Sequence, residues 1–238
     1  MKCYLLSTLV ALILTLLGGA FSPTLYAETW YITSLDWQPY SDSKAKDQGL
    51  SVKKLREILK TEGIDLIVEF YPWLRSQALA QNTKYVGYFP AWPEEVNKGF
   101  IASTPVGSSN IGLLANHQYS SPETDFKVLF KKNKICTVKT YVYPQIITQL
   151  LDINSHNKKS YLNEEAMVRA LSNNLCTLAI SDPKVMLFNA KKQGIKNLKV
   201  IQSELLKKAL VVSLRNQPDN YSKIKRLNSA IRRFNRSP

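Results

Sequence analysis

Trp30–Ser41 reads WYITSLDWQPYS. Its first residues, Trp30, Tyr31, Ile32 and Thr33, are the aromatic and β-branched types that suit a pleated, half-buried backbone, so a short strand is predicted over Trp30–Leu35. The run stops at an aromatic, a proline and a second aromatic: Trp37, Pro39 and Tyr40. Pro39 has no backbone N–H to give to a ladder. The segment is therefore a strand that delivers large rings into the loop at its C-terminal end.

What precedes this stretch decides which residues belong to the fold. Lys2 supplies a positive charge, Leu5–Leu17 is almost wholly apolar, Gly18 and Gly19 loosen the run, and Ala27 closes it with Leu25 two residues earlier. This is the pattern of a secretory signal peptide over residues 1–27, cleaved after Ala27. The apolar run is shorter than the roughly 20 residues that span a bilayer, which favours cleavage over a retained anchor. Cys3 precedes the run instead of following it, so no lipidated N-terminus is expected. The mature chain, Glu28–Pro238, is expected in the periplasm, and its length suits one large domain or two small lobes.

Charge and cysteine usage narrow the reading further. The chain carries 32 Lys and Arg against 18 Asp and Glu, a formal charge of +14. Such a surface could attract nucleic acid, anionic lipid or an acidic partner. The lysines fall in separated pairs, Lys53-Lys54, Lys131-Lys132, Lys158-Lys159, Lys191-Lys192 and Lys207-Lys208, with no stacking aromatics or nucleic-acid motif among them. Solvated faces are the expectation, and no nucleic-acid partner. Cys136 and Cys176 remain after processing, and an even count in an oxidising compartment points to one disulfide. Each lies in a β-like run, KICTVKT and LCTLAIS, so neighbouring strands of one sheet would bring them together. Closing that loop is worth about 4 kcal/mol in the chain-entropy model. There is no CxxC, and His117 and His156 are isolated, so no metal and no cofactor is expected.

Strand and helix signals alternate along the mature chain. Trp30–Leu35, Ile64–Phe70 and Tyr85–Phe89 read as strands, separated by helical periods at Leu50–Leu59 and Leu74–Ala80. This βαβαβ unit favours a parallel sheet with right-handed crossovers. The second half reads strand at Ile135–Lys139, helices at Pro144–Leu151 and Glu164–Leu171, strand at Leu175–Ser181, helix at Lys184–Lys192, and strands at Leu198–Ile201 and Ala209–Leu214. A final amphipathic helix, Tyr221–Phe234, carries Ile224, Leu227, Ile231 and Phe234 at three- and four-residue steps. Between the halves, Ile101–Ala115 reads as a chain crossing from one lobe to the other.

This layout resembles the family 3 extracellular solute-binding proteins, the polar amino-acid receptors of bacterial uptake systems, over essentially the whole mature chain. In that family the first strand ends in an aromatic–Pro–aromatic loop, matched by Trp37, Pro39 and Tyr40. The second strand leads to a ligand-facing aromatic, matched by Trp73. A strand of the second lobe ends at a helix that receives the ligand carboxylate, matched by Val138-Lys139-Thr140-Tyr141. A later strand ends in an aspartate that binds the ligand's amino group, matched by LCTLAISD and hence Asp182. The resemblance implies an α/β, two-lobed type II periplasmic-binding-protein fold with the ligand cleft between lobes. It implies residues 28–110 plus 210–238 in lobe one and 111–209 in lobe two.

Two departures set the chemistry of the implied site. The family carries Thr-Pro-Glu-Arg after its third strand, and that arginine clamps the α-carboxylate; here the segment is Trp92-Pro93-Glu94-Glu95, which puts Glu95 in the arginine's place. The usual aspartates early in the sheet strands are replaced by Tyr85 and Thr177. Three readings stay open. Arg75, which follows Trp73 in a Trp-x-Arg pattern resembling a divergent branch of the family, takes the carboxylate; or the ligand is cationic or lacks a carboxylate; or Glu95 points to solvent. The first is the reading adopted, with Trp37, Tyr40, Trp73, Tyr88 and Trp92 walling the cleft and Lys139, Thr140 and Asp182 completing the site. An arginine fork suits two carboxylate oxygens better than a lysine does.

The function so implied is capture of a small polar, amino-acid-like solute by a monomeric protein that serves an inner-membrane ABC-type permease. A transporter-independent sensory receptor and a dehydratase-like enzyme on the same fold are the alternatives. No nucleophile–base pair is visible, so catalysis is not expected.

Overall fold

The computed structural model describes residues 28–236; the predicted signal peptide, with Cys3, lies outside the described residues. Strands β1 (Glu28–Ser34), β2 (Ile64–Phe70) and β3 (Gly87–Ala91) alternate with helices α1 (Leu50–Lys60) and α2 (Trp73–Leu79). A short β4 (Phe100–Ala102) and a long β5 (Gly107–Asn116) follow. The second half runs α3 (Phe126–Lys132), β6 (Ile135–Val138), α4 (Gln145–Ile153), β7 (Lys158–Tyr161), α5 (Glu164–Ser172), β8 (Leu178–Ser181) and α6 (Pro183–Lys192). The 18-residue β9 (Leu198–Arg215) and α7 (Tyr221–Phe234) close the chain.

The helices follow from their apolar stripes. Val52, Leu55, Ile58 and Leu59 bury one face of α1, and Gly63, at φ 67°, turns the chain into β2. A left-handed backbone just past a helix is the position glycine tolerates without steric cost. In α7, Leu227, Ala230 and Ile231 are buried, while Ile224 and Phe234 pack against the same core.

The strand order is β2-β1-β3-β9-β5-β8-β6-β7, with β4 also on β9. β1 pairs with β2 and β3 in parallel, and β6 pairs with β7 and β8 in parallel. β9 runs antiparallel to β3, and β5 runs antiparallel to β8. Each half is thus the same unit: a central strand, its two parallel neighbours, and one antiparallel strand at the side facing the other half. Two separate sheets would be the simplest outcome of the alternation, but the hydrogen-bonded path is unbroken because β9 serves both halves. Leu198–Leu210 pairs with β5, and Val211–Arg215 pairs with β3 and β4.

The structure departs from the sequence reading in several places. Leu198–Arg215 is one strand and not two, because Gln202 and Leu206–Lys208 still pair with β5 on either side of a register shift. Residues 107–116 are the strand β5 and not merely a connection. β3 continues through Pro90, which the ladder accommodates by shifting register between Tyr88 and Ala91. β4, α3 and β7 have no counterpart in the sequence reading, and the exposed KKSY of β7 has no apolar alternation to betray it.

Cys136 and Cys176 form the expected disulfide, with Cα atoms 5.8 Å apart, inside the range a bridge needs. Cys136 lies in β6, but Cys176 lies in the bend just before β8 and not in a strand. The bridge packs with Val138, Met167, Leu171 and Met186 in a small second core.

Candidate functional site

The C-terminal ends of β1, β2 and β3 each release an aromatic toward the other half. After β1, Trp37 and Tyr40 stack at 4.7 Å between ring centroids. Their loop is closed by the Trp37 N–H donating to Ser41 O at 2.8 Å and by Ser41 Oγ donating to Leu35 O at 2.7 Å. After β2, Trp73 opens α2 directly behind Pro72. After β3 comes Trp92, whose ring meets Trp37 edge-on at 6.1 Å and Tyr141, from the other half, at 5.7 Å.

Three buried carboxylates receive the polar ends of Trp37, Tyr40 and Trp73, while Trp92 Nε1 donates to Ser109 Oγ at 2.9 Å. Asp182 caps α6, accepting from the Lys184 and Val185 N–H groups through Oδ1. Its Oδ2 accepts from Tyr40 Oη at 2.8 Å and from the Asn110 N–H at 2.9 Å. One carboxylate thereby ties β1's loop, β5 and α6 together, and all four donors are in place. Glu164, in the first turn of α5 behind the capping Asn163, accepts through Oε1 from Trp37 Nε1 at 2.9 Å, from Ser181 Oγ at 3.1 Å and from Tyr141 Oη. Glu95 accepts from Trp73 Nε1 at 3.0 Å and from the Trp92 N–H at 3.1 Å, with the Val142 N–H reaching it from the second half.

No cation balances these acids. Among the described residues Arg215 is the one buried Lys or Arg side chain, and it pairs with Asp219 at 2.5 Å. Burial therefore dominates the protonation of both glutamates. It pushes Glu95 up from 4.5 to about 8, against the opposing pull of its three N–H donors, with the Glu164 charge adding to the rise. Burial raises Glu164 as well, opposed by its donors. The neighbouring Tyr141 and Tyr143 are pushed up too, first by burial and then by these carboxylates.

The rings leave almost no space at the centre. The void lined by Leu35, Trp37, Trp73, Trp92, Glu95 and Tyr141 measures about 10 Å³, room for at most one water. The space lies farther out. A cavity of about 590 Å³ opens at the mouth of the cleft, with Asp36, Tyr71, Trp73 and Leu74 on one side and Thr140, Tyr141, Leu162 and Glu164 on the other. A second, of about 380 Å³, lies wholly in the second half and is lined by Lys139, Thr148, Lys158 and Ser160 among others.

The structure brings Trp37, Tyr40, Trp73, Tyr88, Trp92 and Asp182 together at the junction, all buried. Tyr88 serves the loop: its hydroxyl donates to Glu95 O at 2.6 Å and accepts from the Asn97 N–H. Thr140 lines the mouth cavity, whereas Lys139 turns to the other one. Arg75 is not in the junction. Trp73, Ser76 and Gln77 form the buried face of α2, so Arg75 falls on the exposed side and lies over the Tyr71 ring at 5.5 Å. The adopted reading, with Arg75 as the internal carboxylate clamp, has no counterpart in this geometry. Glu95 does not point to solvent either: it is 6 % exposed and bonded to Trp73. Sequence reasoning missed Glu164 and Asp36. In sequence Glu164 is only the start of a helix, because the groups that fix its side chain, Trp37, Tyr141 and Ser181, come from other elements.

No protein-family model and no curated protein matches the chain. Solved structures do. A histidine kinase sensor domain with similarity to periplasmic binding proteins superposes with a TM-score of 0.71 at 13% identity, covering 87% of this chain and 90% of that one. An ancestral arginine-binding protein bound to arginine gives 0.71 at 13% identity, covering 88% and 93%. An arginine transport-system periplasmic binding protein from Legionella pneumophila gives 0.66 at 19% identity, covering 87% and 94%. Identities this low speak for the fold alone. Taken with the two matched half-sheets and their exchanged strands, they make this chain a protein of the two-lobed type II periplasmic-binding-protein fold.

Proposed function

We propose that the protein is a periplasmic solute receptor that closes its two lobes, residues 28–110 plus 210–238 and residues 111–209, on a small polar ligand. The observation that carries this reading is the junction itself. Rings and carboxylates from opposite lobes meet pairwise, Trp37 with Glu164, Tyr40 with Asp182 and Trp92 with Tyr141, at the base of the cleft between the lobes. Each contact is a term by which ligand can bias open against closed forms, since a ligand shifts such an equilibrium only by its differential affinity. Delivery to an ABC-type permease is the downstream role we favour.

A second reading, sensing through a membrane partner, draws on the sensor-domain neighbour, which superposes as well as the transport-type ones. Among the described residues no helix is long and apolar enough to cross a membrane.

The experiment is a thermal-shift screen of the protein recovered from the periplasm against amino acids, amines, small peptides and organic acids. A ligand at 100 times its Kd adds about 2.7 kcal/mol of stability. No shift with any member, at millimolar concentration, would remove the receptor reading.

A further inference from the structure

We infer that the ligand site is the 590 Å³ cavity at the cleft mouth and that its ligand is a primary amine lacking an α-carboxylate. This deepens the receptor reading and rests on it. The inner junction, where an amino acid would need to sit, has a void of about 10 Å³ and is bonded shut by the protein's own groups. The mouth cavity has the volume of a small-molecule site and is built from both lobes, so an occupant there would hold them together.

The lining specifies the chemistry. Its charged side chains are Asp36 and Glu164, both acidic, and no lysine or arginine lines it. Asp36 is fixed in orientation, accepting from the Ser43 N–H at 2.7 Å and from Ser43 Oγ at 3.0 Å. The walls are Phe70, Tyr71, Trp73 and Tyr141 with Leu74 and Leu162. Aromatic faces attract an ammonium group and exclude water from the rest of a small organic body. A free α-carboxylate would meet acids with no opposing cation, because Arg75 is outside, over Tyr71. Ammonium binding would also give Glu164 the counter-charge that its present donors, an indole, a phenol and a serine hydroxyl, do not supply.

The test compares molecules that differ only by the carboxylate: putrescine against ornithine, cadaverine against lysine, and tyramine against tyrosine, titrated calorimetrically into the periplasmic protein. At least one amine should bind roughly thirtyfold or more tighter than its amino acid, the discrimination expected when a desolvated charge lacks a partner. Glu164→Gln should weaken that amine by a similar factor. Leu162→Trp, placed at an exposed position so that folding is not at stake, should block it by filling the cavity. Arg75→Ala should leave amine binding nearly unchanged, because Arg75 lies on the exposed side of α2 and outside the lining. If an amino acid binds better than its amine, or Arg75→Ala abolishes binding, the amine inference fails while the receptor reading stands. If an amine binds undiminished to both Glu164→Gln and Leu162→Trp, the cavity assignment fails. If no solute of any class binds, both readings fail together.

Discussion

Glu95 provides the sharpest test of how the junction is held. Its folded-state value of about 8 lies above the ordinary glutamate value of 4.5, so the folded protein holds this proton more tightly than the unfolded chain does. The sign follows from linkage: the contribution is complete below about pH 4.5 and is lost as pH rises toward 8. Each tenfold change in proton affinity is about 1.4 kcal/mol, so about 5 kcal/mol is lost over the whole window, about 3 of it by pH 7. Glu95→Gln removes the titration but not the volume. The amide must turn one donor toward the Trp92 or Val142 N–H, at a constant penalty of about 1–3 kcal/mol. The two proteins should therefore cross: the variant is less stable at pH 5 and more stable at pH 9. Urea unfolding at pH 5, 7 and 9 reads this directly. Glu164, raised in the same direction, leaves a common slope in both proteins, and Glu95→Gln/Glu164→Gln should flatten it. Parallel pH profiles for wild type and Glu95→Gln would refute the reasoning, as would stability that rises from pH 5 to pH 8.

Further expectations concern the supports of the junction. Tyr40→Phe removes a hydrogen bond to the buried Asp182 carboxylate and should cost about 1.5–3 kcal/mol in urea unfolding; a change below 0.5 kcal/mol, on the order of an ordinary surface substitution, would mean that the bond does not bind the lobes. Replacing both Cys136 and Cys176 by serine should lower stability by about 4 kcal/mol, and unfolding of the periplasmic protein with and without reductant should give the same difference. Gly112→Ala should destabilise by about 1–3 kcal/mol, because its Cβ would lie 2.4 Å from Gln202 O and 2.5 Å from Pro183 Cγ; an unchanged midpoint would show that β5 and β9 can separate there at no cost.

Local signals carried the reading of the fold a long way. The stripe of α1, the Pro72 break before α2 and the Asp182-Pro183 start of α6 are properties of neighbouring residues, and each is visible in order along the chain. What lay beyond reach depends on pairing across distance. Nothing in QSELLKK announces a strand until β5 lies beside it, and KKSY becomes β7 only because Ile135–Val138 offers an edge. The site divided in the same way. The rings were legible because strand ends release them, whereas Arg75 failed as an internal clamp through the helical phase of α2, and Glu164 was silent because its partners, Trp37 and Ser181, stand 127 and 17 residues away. Glu95 was correctly singled out as the odd residue, but its burial beneath Trp73 is a fact of packing.

The exchange of β5 and β9 also governs how the chain can be made. A polypeptide delivered N-terminus first presents β1, β2 and β3 early, yet the strand that borders β3 is the C-terminal end of β9, and α7, whose buried face completes the surrounding core, comes later still. The first lobe must wait for nearly the whole chain to emerge, with the edge of β3 unpaired in the interval. An unpaired edge is an invitation to intermolecular pairing, and contacts so distant in sequence form slowly. A chain truncated after α6 would lose one strand but leave two open edges, on β3 and on β5, and should be recovered as aggregate instead of as a folded second lobe.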